Sequence, residues 1–182
     1  MSMPGVCQNL VVNGGFETGS FSSWTQFGNT GFSSVVSSGD SSINAPEGTR
    51  YAKMGPLSAG GIFQTFTTVI GTAYQISYSL HTGTSSSASR VFRAQFGSTT
   101  LPSTLETLTN PSLFGFTTRT FRFVATTTTS QIRFTFENDP NYWRLDSVSV
   151  TRVVPELSVQ GAATPLLAVC LLLLIGLERR RR

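Results

Sequence analysis

Tyr74-Gln75-Ile76-Ser77-Tyr78-Ser79-Leu80-His81 alternates between bulky and polar side chains along its whole length. Successive side chains of a β-strand point to opposite faces, so Tyr74, Ile76, Tyr78 and Leu80 share a packed face. Gln75, Ser77, Ser79 and His81 then share a solvated one. The same two-residue period recurs downstream. Phe92, Ala94 and Phe96 oppose Val91, Arg93 and Gln95; Phe121 and Phe123 oppose Thr120 and Arg122; Ile132, Phe134 and Phe136 oppose Gln131, Arg133 and Thr135. One packed and one wet face per strand is the antiparallel pattern. Nothing between Met1 and Pro155 keeps a helical period.

Working outward, short runs recur at Leu10–Val12, Phe32–Val36, Arg50–Met54, Ile62–Val69 and Ala73–His81, then at Arg90–Phe96, Thr118–Ala125, Ser130–Glu137 and Tyr142–Val153. Ser, Gly, Asn or Pro clusters separate most of them. About eight or nine such strands predict an all-β jelly roll or antiparallel sandwich over residues 8–152. Asn13-Gly14-Gly15 reads as a turn that needs glycine. Leu101-Pro102-Ser103-Thr104-Leu105 mimics a sortase signal, but it lies mid-chain, lacks the glycine, and reads as a turn. In the last run, Trp143 and Leu145 are followed by Val148 and Val150, so the alternation changes phase. A bulge near Asp146 would account for this and turn its carboxylate sideways.

Charge narrows the function classes. Residues 1–164 carry Lys53 and eight arginines against eight acids, a net of +1, so the basic character of the whole chain comes largely from Arg179, Arg180, Arg181 and Arg182. Scattered arginines among apolar residues make no nucleic-acid footprint. Cys7 and Cys170 leave the body without an internal pair to bridge. Catalysis has little support: the single histidine, His81, sits at an outward position beside serines, and no Gly-x-Ser-x-Gly elbow, Cys-His arrangement or phosphate-cradling loop is present. A hydrolase would need an acid/base pair that the chain does not offer.

Residues 153–182 form a different unit. Val154-Pro155-Glu156-Leu157 comes first, an apolar run over 161–177 follows, and Glu178 precedes the four arginines. At about 1.5 Å per residue that run makes roughly 20–25 Å of helix, the lower limit for a hydrocarbon core of about 30 Å. Arginines directly after an apolar run stay on the cytoplasmic side, which places the body outside. The order of motif, short hydrophobic helix and arginine cluster resembles the PEP-CTERM sorting signal of bacterial exported proteins. The resemblance implies an exosortase-type membrane transpeptidase as partner, insertion in the inner membrane through the tail, and removal of the tail near the motif. The resemblance further implies that the protein reaches the cell surface or the extracellular space; the alternative is a plain tail anchor that is never cut. Leu157 stands where that family has its second proline. Met1–Asn9 has neither the basic region nor the apolar stretch of a secretory signal, so an apolar segment encoded upstream is expected.

The body carries a resemblance of its own. Asn9 to Trp24 (NLVVNGGFETGSFSSW), Glu47-Gly48-Thr49-Arg50-Tyr51-Ala52 and Tyr142-Trp143-Arg144-Leu145-Asp146-Ser147-Val148-Ser149-Val150 look like the galactose-binding-like sandwich. Carbohydrate-binding modules share it, as do many PEP-CTERM proteins. Similar modules hold a structural calcium where the first and last strands meet, and Glu17, Glu47 and Asp146 occupy the matching positions. Ca²⁺ takes six to eight oxygens, which carboxylates and loop carbonyls supply. The alternative is three ordinary surface or capping acids, because Ser147 replaces the second acid usual in that last strand.

Two functional readings follow. The first is an exported surface or matrix protein whose non-catalytic sandwich is structural or adhesive. The second is a carbohydrate-binding module recognising exopolysaccharide. For the second, Tyr142 and Trp143 are the aromatics nearest a loop, with Tyr142 the freer of the two. Gln75, Arg93 and Gln95 stand on polar faces that could hydrogen-bond hydroxyls. Most phenylalanines, and Trp24, read as core.

Overall fold

The computed structural model describes residues 8–83, 89–139 and 141–154. Ten strands are assigned among them: β1 (Thr25–Gly28), β2 (Ser33–Ser37), β3 (Arg50–Met54), β4 (Gly60–Thr67), β5 (Ala73–His81), β6 (Ser89–Ser98), β7 (Ser103–Thr109), β8 (Thr117–Val124), β9 (Thr129–Asp139) and β10 (Trp143–Arg152). They form two five-stranded sheets, ordered β1-β4-β9-β6-β7 and β2-β3-β10-β5-β8. All paired neighbours are antiparallel. With the added strands β1 and β2 set aside, consecutive strands change sheet at each step except the β6–β7 hairpin. That connectivity is two Greek keys closed face to face, a jelly roll.

The alternation explains the core. Tyr74, Ile76, Tyr78 and Leu80 are buried, as are Phe92, Ala94, Phe96, Ile132, Phe134 and Phe136. Rings from the two sheets meet edge to face: Tyr78 of β5 lies 5.0 Å from Phe134 of β9, centroid to centroid. Such aromatic pairs add roughly 0.5–1.5 kcal/mol each beyond the area they bury. Trp24 is buried too, and its indole N–H donates to the Asn13 carbonyl at 3.0 Å.

The phase change in β10 is a bulge. Pairing with β5 runs to Asp146↔Ser79 and resumes at Ser149↔Ser77, and Ser147 sits in the left-handed region at φ 53°. Beyond Leu145 the β3 edge of β10 is left open, because β3 pairs only with Trp143–Leu145. The segment after Gln8 fills that edge instead of forming the expected strand at Leu10–Val12. Asn9 bridges Thr151, the Leu10 amide donates to the Val150 carbonyl at 2.8 Å, and the Val148 amide donates to the Gly14 carbonyl at 3.0 Å. Gln64 of β4 holds the same segment to the other sheet, accepting from the Val12 amide at 2.8 Å and donating to its carbonyl at 2.9 Å.

Two strands depart from the sequence reading. β1 is a four-residue edge strand with no apolar period of its own. β7 includes Ser103-Thr104-Leu105, expected to be a turn. Its pairing with β6 shifts between Ala94 and Gln95, leaving Leu105 as an extra residue, and this breaks the two-residue period that would have revealed it.

His81 also departs from expectation. Its parity is outward, but the outer face of the second sheet is covered at that end. The Phe116 ring packs edge-on at 5.3 Å, and Arg144 is its partner across β10. The loop before β8 is pinned there, with the Phe114 amide donating to Thr82 Oγ1 at 2.9 Å. His81 Nδ1 accepts from the Gly83 amide at 2.9 Å, so the imidazole is a satisfied buried base. Burial first, and the Arg144 charge second, push its pKa down to about 4.

Of the sorting motif, only Val154 is described, and it is exposed. Pro155, Glu156, Leu157, the apolar run 161–177 and Arg179–Arg182 lie outside the described residues. Among those described, no helix is long and apolar enough to cross a membrane.

Candidate binding groove and acid cluster

The outer face of the first sheet carries a groove of about 560 Å³ lined by Phe27, Arg93, Gln95, Arg133, Thr135 and the Thr99–Pro102 loop, with Ala59 at its rim. Strand register produces it. Arg93 stands opposite Thr135, and Gln95 opposite Arg133, so four polar side chains from β6 and β9 form one patch. The next position along the Thr135 row is Gly61, followed by Phe27 of β1. A Cβ on Gly61 would meet the Phe134 carbonyl oxygen of β9 at 1.9 Å and Phe27 Cζ at 3.0 Å, so this glycine permits the close approach of β4 to β9 and leaves room for the ring across β4. The Arg133 guanidinium sits 3.6 Å from the centroid of that ring. Burial alone pushes the Arg133 pKa below its ordinary value.

The residues expected to bind a ligand are divided by the fold. Arg93 and Gln95 line the groove. Gln75 is exposed on β5, which belongs to the other sheet. Tyr142 is half-buried beside that other sheet, with Lys53 Nζ 4.5 Å from its ring centroid. Trp143 is fully buried, its indole N–H donating to the Glu137 carbonyl at 3.1 Å, and is corrected from ligand contact to core. Phe27, Arg133 and the Thr99–Pro102 loop were missed. Parity does put Arg133 on a wet face; the adjacency of β6, β9, β4 and β1 is what sequence does not reveal.

The acids meet elsewhere, where the Asn13–Glu17 segment packs on the β10 bulge. Gly14 allows that packing, since a Cβ there would lie 2.1 Å from the Val148 carbonyl oxygen. At Gly15 a Cβ would stand 3.8 Å from Asp146 Oδ1, from Glu17 Cγ and from Glu47 Cδ. The three carboxylate side chains therefore surround one small space. Asp146 is fully buried and accepts from the Ser147 amide at 2.7 Å and the Glu47 amide at 3.3 Å. Burial nevertheless pushes its pKa up to about 7, and the negative charges of Glu47 and Glu17 add to the rise. Glu17 is exposed and accepts from the Thr49 amide, the Thr49 hydroxyl and the Arg50 amide, each at 2.9 Å. These donors, the Thr49 amide first, hold its pKa below the ordinary value.

As a test of fit to calcium, the donor chemistry agrees: all side-chain oxygens, one carboxylate buried with its charge disfavoured, and a glycine keeping the centre clear. The side-chain placement is less complete. Among the described residues, no three His, Cys, Asp or Glu side chains are arranged as a ready ligand set. An ion here would rest on Asp146 and Glu47, with backbone carbonyls completing the shell.

Solved structures with this architecture include TmCBM61, determined in complex with beta-1,4-galactotriose. It is 20% identical at a TM-score of 0.63, over 80% of this chain and 99% of that one. A family 16 carbohydrate binding module is 16% identical at a TM-score of 0.56, over 78% and 99%. A xylan-binding domain from CBM 22 is 17% identical at 0.52, over 75% and 92%. At these identities the likeness concerns the fold: this chain has the sandwich found in carbohydrate-binding modules. No curated protein sequence matches the chain. Residues 17–151, a span that runs from the first acid of the cluster to Thr151 in β10, match the family described as "Protein of unknown function (DUF642)", and the chain belongs to that family.

Proposed function

We propose that this protein is a non-catalytic carbohydrate-binding domain carried by an exported surface or matrix protein. The groove on the first sheet is the observation that carries the reading. It combines an aromatic ring, a carboxamide, threonine hydroxyls and two guanidinium groups on a rigid antiparallel surface. Apolar ring faces and short polar donors are what a polyhydroxylated ligand requires. The carbohydrate-binding folds of the structural neighbours support this, although a shared fold alone does not assign a ligand. Polysaccharide is the partner in this reading, and no nucleic acid is involved. Screening the full chain on a glycan array tests it, with Gln95→Ala as the groove control. Binding that Gln95→Ala weakens supports the proposal; absence of binding to every glycan returns the sandwich to a purely structural or adhesive role.

The tail over residues 153–182 supports export as the second half of the proposal, through its likeness to a PEP-CTERM signal. In this reading it inserts in the membrane with the body outside and is processed by an exosortase. Replacing Arg179–Arg182 by glutamates should mislocalise the protein. Normal surface display of that variant would sink the sorting role.

A structural Ca²⁺ at the acid cluster is proposed as the cofactor, favoured by the buried Asp146 carboxyl beside Glu47 and Glu17. Its contribution would be to join the Asn13–Glu17 segment to β10, away from the groove.

A further inference from the structure

We propose that the groove selects an acidic polysaccharide, and specifically one bearing uronic-acid carboxylates, through Arg93 and Arg133. This rests on the carbohydrate-binding reading above and adds the ligand's charge. The ten lining residues include two arginines and no acid. Among the described residues the ion pairs are Lys53–Asp40 and Arg119–Glu106, so neither groove arginine has a carboxylate within 4.0 Å; Glu137, the other diagonal neighbour of Arg93 on β9, accepts from the Ser89 hydroxyl at 3.1 Å instead. The two are diagonal neighbours on β6 and β9, since Arg93 faces Thr135 and Arg133 is two positions away on the same face. Diagonal positions of this kind lie about 7–8 Å apart, within reach of two long side chains acting on one ligand.

The aromatic ring is placed to favour an anion over a neutral sugar. A neutral glycan gains most from stacking on an open ring face. Here one face of Phe27 is occupied by the Arg133 guanidinium at 3.6 Å. The ring thus supports the cation and limits its motion. A planar guanidinium held in this way presents paired N–H donors to a carboxylate, a geometry that a tetrahedral sulfate matches less closely. Arg93 is exposed and free to adjust, and Gln95 and Thr135 between the two can bond ring hydroxyls. The half-buried Arg133 charge, disfavoured by burial, is stabilised when an anion arrives.

The test is calorimetric titration of the full chain with four soluble glycans: polyglucuronate, its neutral methyl ester, a sulfated galactan and neutral β-1,4-galactan. Polyglucuronate should bind at least tenfold more tightly than its methyl ester, and the preference should shrink as salt rises. Arg93→Gln, an exposed change that leaves the fold intact, should lower polyglucuronate affinity severalfold more than it lowers affinity for the neutral galactan. Arg133→Lys, checked by its melting curve, should lose more, because lysine keeps the charge and loses the fork. Equal affinity for the acid and its ester, or no effect of Arg93→Gln, overturns the inference while sugar binding stands. Preference for the sulfated galactan overturns the carboxylate assignment. Binding to none of the four removes the carbohydrate reading itself, and this inference with it.

Discussion

The Glu47 amide donates to Asp146 Oδ2 at 3.3 Å across 99 positions of sequence, tying the loop before β3 to the bulge in β10. Asp146 is buried there beside two further carboxylates, and its ionised form lacks a cation among the described residues. Calcium should therefore raise the melting temperature relative to chelator. An ion binding only the folded state at a hundred times its dissociation constant adds about 2.7 kcal/mol, on the order of 5–10 °C for a chain of this size. Asp146→Ala should erase the difference. Identical melting with calcium and with chelator would reduce the cluster to ordinary capping acids.

Gly14 and Gly15 are adjacent but should respond differently to the same change. Gly14→Ala drives a Cβ to 2.1 Å from a backbone carbonyl and should cost about 2–3 kcal/mol in urea unfolding. Gly15→Ala meets only ordinary contacts at 3.8 Å, so in chelator it should change stability by less than about 1 kcal/mol. It fills the centre of the acid cluster, however, and should abolish stabilisation by calcium. Retained calcium stabilisation in Gly15→Ala would place the ion elsewhere.

His81 gives the fold a pH dependence of known sign. Its folded pKa of about 4 lies below the ordinary value of 6.5, so the unfolded chain binds the proton more readily. The stabilisation is fully present above about 6.5 and is lost as pH falls towards 4, on the order of 2 kcal/mol in all. Asp146 acts oppositely: its raised pKa favours the folded state at low pH, with that benefit lost as pH rises through about 7. The measurement is therefore a difference. His81→Gln should be less acid-sensitive than the parent between pH 4 and 6.5. Parallel stability curves for the two would show that His81 does not sense pH.

Tyr78 and Glu106 join the two sheets by a side-chain hydrogen bond from β5 to β7. Burial, and then the bond to Glu106, raise the phenol's pKa, so it remains a donor throughout the usable range. Tyr78→Phe keeps the ring packing and removes the donor, leaving the Glu106 carboxylate under-satisfied. Unfolding should cost about 1–3 kcal/mol less than in the parent. A change below about 0.5 kcal/mol would mean that solvent replaces the bond.

Alternation carried most of the fold. Tyr74 to His81 and Ile132 to Phe136 announced their faces because a two-residue period survives wherever one sheet face is packed. The break at Val148 announced the bulge for the same reason. β1 was too short for a period, and β7 lost its period to an extra residue. His81 shows a different limit. Parity tells which face of a sheet a side chain occupies, but not whether a loop later folds over that face. Arg93 and Gln95 were legible as outward polar residues. Arg133 and Thr135 were legible in the same way; that they join Arg93, Gln95 and Phe27 in one groove was not, because strand adjacency depends on the order of the whole sheet. Trp143 misled by sitting beside a loop while pointing inward.

The bulged strand β10 is paired with β5 along one edge, and with β3 and then the Asn9–Leu10 segment along the other. It leads directly to Val154 and the tail. On the proposed reading, with the tail anchored and ligand held in the groove, a load applied at Val154 would enter the domain along the axis of this strand. The hydrogen bonds on both edges then lie across the pull and must slip together rather than open one after another. The groove lies on the opposite sheet, so tension between ligand and anchor also crosses the interlocked rings of the core. In that case the domain would serve as a mechanical coupling between ligand and anchor, loaded along β10.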